Sequence, residues 1–350
     1  MKLKDKELKI LIKELFRTRT TYNFNCIRVG TAFRIDVRGL IVGGEDGIIR
    51  IYDSSSNIIP AKPKILLETK GGPIQTMAIH DVTKFYDNDL VTGDSVGMMT
   101  IFCNQQILCR HRVAKDSIRC LLVHKDPLGS CCIVASDESG YICGLLPSKE
   151  LWRININDLS NLKCPTQKMV ITCMLSTELV TPTGEKCCYI LAADDNKHLH
   201  FIHQGDIVMT LSTPEVISAM CSGHFIDVDK LDIVTEPGSI KVPSSQVALG
   251  CKNGAIYILH NFTITEEEIC NSKYYITNML SHPTSNPNID MLLCAGHFNA
   301  LHVYHEGKNV GNFETPDWIC SMDVSTNQNS SEVIVGCLDK SILALTLAET

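Results

Sequence analysis

The sequence predicts an all-β protein, a seven-bladed β-propeller closed by an N-terminal strand that completes the last blade. Three observations carry this. A two-part motif recurs seven times along the 350 residues. Each copy has room for four short strands, the size of a propeller blade. The pentapeptide KELFR at Lys13–Arg17 is nearly repeated as KELWR at Lys149–Arg153.

The motif starts with an isoleucine that opens a short apolar run, at Ile27, Ile74, Ile118, Ile171, Ile217, Ile276 and Ile319. Three residues on stand Met77, Met174, Met220, Met279 and Met322 in five copies, Leu121 in the third and Gly30 in the first. A second apolar run ends in a small residue at Gly43, Gly93, Ser136, Ala193, Gly250, Gly296 and Gly336. Four positions later come Gly47, Gly97, Gly140, Lys197, Gly254, Ala300 and Lys340. A residue there with φ > 0 would make the tight hairpin turn into a third strand. A fourth strand follows, more polar because one side meets solvent, as in KELWR.

These units predict blades near 26–70, 73–114, 117–156, 169–212, 215–266, 274–315 and 317–350 within one domain, 1–350. The seventh unit has no fourth strand, and KELFR belongs to no unit. Residues 11–19 are therefore expected to supply the outer strand of blade seven and leave no open edge. Leu8, Leu11 and Leu15 among lysines would also suit a short free helix, the competing reading.

Composition narrows the function. Hydrophobic content of 44% with 20% charged residues is that of an ordinary globular protein. A net charge of −7 without a basic stripe argues against nucleic-acid binding. No apolar run reaches the length of a membrane span, and the N-terminus lacks a signal-peptide cleavage site. The 17 cysteines show no C-x-x-C spacing, which reads as a reducing compartment, cytoplasm foremost with nucleus or cilium open. Nucleophile-elbow, phosphate-loop and HExxH patterns are missing, so no catalytic residue, cofactor or metal is expected. His198, His200 and His203, and likewise His297, His302 and His305, read as ordinary strand histidines.

The pattern of an I-x-x-M/L strand followed by segments such as LIVGGEDGIIRIYD resembles the FG-GAP-related, WD40-like cytosolic propellers. Subunits of BBSome- and KICSTOR-type complexes are of this sort. The resemblance spans all seven units. It departs from the WD repeat, since the Gly-His pair is missing and only Tyr52-Asp53 approaches the terminal Trp-Asp. It implies a non-catalytic scaffold within a cytosolic multiprotein complex for trafficking or signalling. The calcium loop of integrin-type members is approached only by Asp227, Asp229 and Asp232, with altered spacing and no glycine, so calcium is not expected. Two alternatives stay open: a substrate-receptor propeller of a ubiquitin ligase, and an enzyme or metal-dependent propeller with its site in the central channel.

Two candidate contact sites follow. The second-to-third-strand turns of units one to four carry Glu45, Asp46, Asp94, Asp137, Glu138, Asp194 and Asp195. Such an acidic arc would steer a basic or helical segment of another protein subunit. The long insertion from His224 to Ser245 carries Phe225, Ile233, Val234, Ile240 and Val242, a candidate partner-binding loop. Homo-oligomerisation is not expected.

Overall fold

The computed structural model describes residues 8–33, 38–53, 62–126, 129–159, 168–181, 183–227, 245–327 and 330–350. They form seven antiparallel sheets, each with its strands paired in the order inner to outer. Blade 1 comprises Phe24–Gly30, Gly39–Gly44, Ile48–Asp53 and Ile65–Glu68; blade 2, Ile74–His80, Asp89–Asp94, Met98–Cys103 and Gln106–Arg112. Blade 3 comprises Ile118–Lys125, Cys131–Asp137, Tyr141–Leu146 and Lys149–Asn155; blade 4, Ile171–Val180, Lys186–Asp194, His198–His203 and Asp206–Ser212. Blade 5 has Ile217–Gly223, Gln246–Cys251 and Ala255–His260, with its outer edge split between Thr263–Ile264 and Cys270–Asn271. Blade 6 comprises Ile276–His282, Met291–Gly296, Phe298–His305 and Lys308–Glu314. Blade 7 joins Ile319–Asn327, Ser330–Cys337 and Ser341–Glu349 to the N-terminal strand Ile10–Arg19.

The N-terminal segment is thus a strand and closes the ring. Its likeness to KELWR extends to geometry. The register shifts between Glu14 and Phe16, and again between Glu150 and Trp152, so Leu15 and Leu151 are each the extra residue of a bulge. Each bulge turns its leucine outward and lets the flanking Glu reach the Arg three residues on. Phe16 then faces Ala344 as Trp152 faces Gly144.

The repeat itself has a packing cause. The small residue of one blade makes room for the opening residue of the next. A Cβ on Gly43 would stand 2.8 Å from Ile74 Cγ2, and one on Gly93 would stand 2.7 Å from Ile118 Cγ2. Gly336 leaves the corresponding space to Phe24, whose ring would lie 2.5 Å from an added Cβ. The motif positions of two blades are corrected by this. In blade 1 the opening residue is Phe24, and Ile27 occupies the methionine position, because the register shift that follows the opening residue falls between Phe24 and Cys26. In blade 6 the hairpin is shorter, with Gly296 facing Phe298, so the matching small residue is Ala295 and Ala300 lies within the third strand. Elsewhere the turn glycines have the expected positive φ, and Lys197 and Lys340 adopt it at the matching positions.

Every first strand carries a register shift just after its opening residue. Three of the residues at these shifts stitch one blade to the next. Asn25 Nδ2 donates to the carbonyl of Ile74, Thr172 Oγ1 to that of Ile217 and Ser218 Oγ to that of Ile276. The apolar core likewise lies between blades. Phe24, Ile27 and Leu40 pack with Ile334, Ile342 and Ala344 across the closure, and each fully buried aliphatic side chain contributes about 1.5–3 kcal/mol. Cysteines fill the same seams as small hydrophobes, and burial pushes the Cys26 thiol up to about 12.

Candidate interaction surfaces

Propeller symmetry gathers the second-to-third-strand turns on one face. Most of the turns are held by a side-chain cap, placed at one of two positions. Asp94, Asp137 and Asp194 stand first in their turns and accept the backbone N–H groups two and four residues on. Asp46, Asn253 and Asp339 stand third and accept the N–H two residues on. The first-position aspartates are buried, with 3%, 2% and 0% exposure for Asp94, Asp137 and Asp194. Their charge goes to backbone amides, which the low-dielectric interior makes worthwhile. Of the seven acids, Glu45, Asp46 and Glu138 are exposed and Asp195 is half-buried. Arg50 bonds Asp46 at 2.6 Å and holds its carboxyl below the usual carboxylate range. Glu45 accepts from Asn23, Asp195 from the Val170 amide, and Arg119 lies 4.0 Å from Glu138.

The two histidines of the HLH stretch converge on one of these turns. His198 Nδ1 lies 3.0 Å and His200 Nε2 3.2 Å from the same Asp194 oxygen, and Thr210 meets His200 Nδ1. Burial works against ionising Asp194, but the bonds from His200 and His198 outweigh it and hold its carboxyl below the usual range. Sequence reading found all three residues without joining them, because the turn between them hides that one carboxylate serves both rings.

Blades 5 to 7 present a different surface on this face. His297 stacks on Trp318 at 4.5 Å and meets the edge of Tyr275 at 4.4 Å. Tyr274, Trp318 and Leu338 are exposed beside them. From the sequence, the turns of units five to seven contribute Lys252, His297, Asp339 and Lys340; the aromatic ladder joins residues more than twenty apart and appears only in the fold.

Phe225 is buried between blades 5 and 6, and its amide and that of Ile226 both donate to the buried Gln246 side chain. It offers no surface to a partner. Ile233, Val234, Ile240 and Val242 lie outside the described residues, as do Asp229 and Asp232. Among the described residues no three His, Cys, Asp or Glu side chains are grouped to hold a metal ion.

No protein-family model and no curated protein sequence matches the chain. Solved structures do match. BBS1N, crystallised in complex with ARL6DN and soaked with mercury, aligns with a TM-score of 0.68 at 13% identity, over 98% of this chain and 97% of that one. The lead-soaked crystal of the same complex gives the same values. The WD40 β-propeller domain of Doa1 aligns with a TM-score of 0.65 at 10% identity, over 96% and 97%. At these identities the likeness is one of fold: the chain is built as a propeller of the BBS1N and WD40 kind.

Proposed function

We propose that the protein is a non-catalytic interaction platform, a subunit of a cytosolic multiprotein assembly in trafficking or signalling. It would capture a basic segment of a partner on the face of the second-to-third-strand turns. The observation that carries this reading is the division of that face: exposed acids Glu45, Asp46 and Glu138 on blades 1 to 3, exposed aromatics around Trp318 on blades 6 and 7. Carboxylates in such an arc speed the approach of a cationic segment, and exposed Trp and Tyr are the side chains that most often anchor a contact. A propeller of the same fold, BBS1N, has been crystallised with another protein, which supports the reading.

The test is affinity capture from cells with the double variant Glu45→Lys, Glu138→Lys, both exposed and neither itself a turn cap. The expected result is loss of a specific partner, weaker salt dependence of what remains and an unchanged melting temperature. Capture of the same partners at the same salt would overturn the proposal. Removing residues 235–243 separately tests the insertion as a second contact: unchanged capture would make it a passive loop.

A further inference from the structure

The opposite face carries a half-enclosed cavity of about 690 Å³, within the roughly 300–1,000 Å³ range of small-molecule sites. It lies beneath blade 3, walled by the first-to-second-strand loop of blade 2 and by the third-to-fourth-strand turns of blades 3 and 4. Val82, Leu146, Leu151 and Ile190 line it, and Trp152 is its largest side chain.

Trp152 is held in place by two glycines. A Cβ on Gly144, opposite it in its own blade, would stand 2.2 Å from the indole, and one on Gly205 of blade 4 would stand 2.6 Å away. The indole is therefore clasped between the two blades while still lining the cavity. Two imidazoles also line it. His203 Nδ1 lies 3.2 Å from the carbonyl oxygen of Cys188, so that nitrogen carries the hydrogen and Nε2 of the neutral ring is an acceptor. His124 is tied through Nδ1 to Ser176 at 2.8 Å.

The wall has little charge to offer. Asp126 spends a carboxylate oxygen on the Ser130 amide at 2.7 Å, and Lys84 is exposed at the rim. Burial holds the Cys132 thiol at about 11, so it lines the wall uncharged. A charged ligand would lose its hydration against this largely apolar wall, with only Asp126 and the exposed Lys84 as counter-charges. We propose that this cavity binds a neutral small molecule with a flat apolar body and one hydrogen-bond donor, the body packing against the part of Trp152 that the glycines leave open and the donor meeting His203 Nε2.

Calorimetric titration of the whole protein at pH 8 with 2-naphthol, naphthalene and 2-naphthalenesulfonate tests this. The expected result is one saturable site for 2-naphthol, about tenfold tighter than for either other probe, the hydrogen bond separating it from naphthalene and the cost of stripping water from the anion separating it from the sulfonate. His203→Phe is expected to reduce 2-naphthol to the affinity of naphthalene. Ser148→Trp, an exposed turn position at the mouth, is expected to block all binding at an unchanged melting temperature. Equal affinity for the three probes, uptake that does not saturate, or full binding by Ser148→Trp would overturn the proposal. Should either variant fail to fold, the ranking of the probes on the unaltered protein decides it.

Discussion

Phe24 fills the space that Gly336 leaves open, and so the first blade seats on the last. The same relation links Ile74 to Gly43 and Ile118 to Gly93, which makes the sequence repeat a record of contacts between blades rather than within them. A propeller blade has no core of its own on either face. Its stability comes from neighbours, and the motif marks where the neighbours touch.

Gly336→Ala is expected to destabilise the fold by about 1–3 kcal/mol, because the added methyl meets the Phe24 ring with no free space to enter. Phe24→Leu in the same chain should recover part of that loss. Urea unfolding of the two single variants and the double variant measures the coupling; purely additive losses would show that the two side chains do not share the space.

Deleting residues 1–19 removes the outer strand of blade 7 and bares the Ser341–Glu349 edge, along with the apolar surface now covered by Ile10 and Phe16. A loss of several kcal/mol and a shift toward larger species in size-exclusion chromatography are expected. Glu14→Gln, by contrast, should stay within about 0.5 kcal/mol, since the Arg17 and Glu14 side chains are 47% and 31% exposed and water screens the pair. A truncated chain as stable as the full one would mean the strand is dispensable.

Asp194→Asn should cost stability at pH 7 and progressively less in acid. The carboxyl is held below its ordinary value in the fold, so its contribution is complete above the unfolded-state value of about 3.9 and fades as pH falls through the lower folded value. The gap in melting temperature between the two proteins should therefore narrow as pH falls below about 4. A gap that widens below about pH 4 would contradict the sign.

Thr172→Val keeps the shape of the side chain but takes its hydroxyl from the Ile217 carbonyl, 2.6 Å away in the next blade. A loss of about 1–3 kcal/mol is expected from the stranded carbonyl. Chemical denaturation with unchanged m-value checks it; an equally stable variant would show that water replaces the stitch.

Much of this architecture was legible in the residues. Seven opening residues, seven small partners and the KELFR–KELWR pair predict the number of blades and the way the ring shuts, because packing between blades repeats at fixed chain spacing. The misplacements in blade 1, at Ile27, and in blade 6, at Gly296 and Ala300, come from the same limit. A register shift after Phe24 and a shortened hairpin after Gly296 move the equivalent positions by a few residues, and only strand pairing shows where.

The surfaces were less legible. An aspartate in a turn reads as a charge for solvent, yet at the first position it is buried against backbone amides, and at the third it stays outside. Nothing in the letters separates Asp94 from Asp46 until the hairpin is built. The ladder of Tyr275, His297 and Trp318, the clasp of Gly144 and Gly205 on Trp152, and the cavity beside it all join residues from different blades. The sequence by itself determined the repeat, the strand pattern and the closure, which depend on local spacing. The tertiary structure decided which charges face water and which side chains meet, because those depend on how one blade is turned against the next.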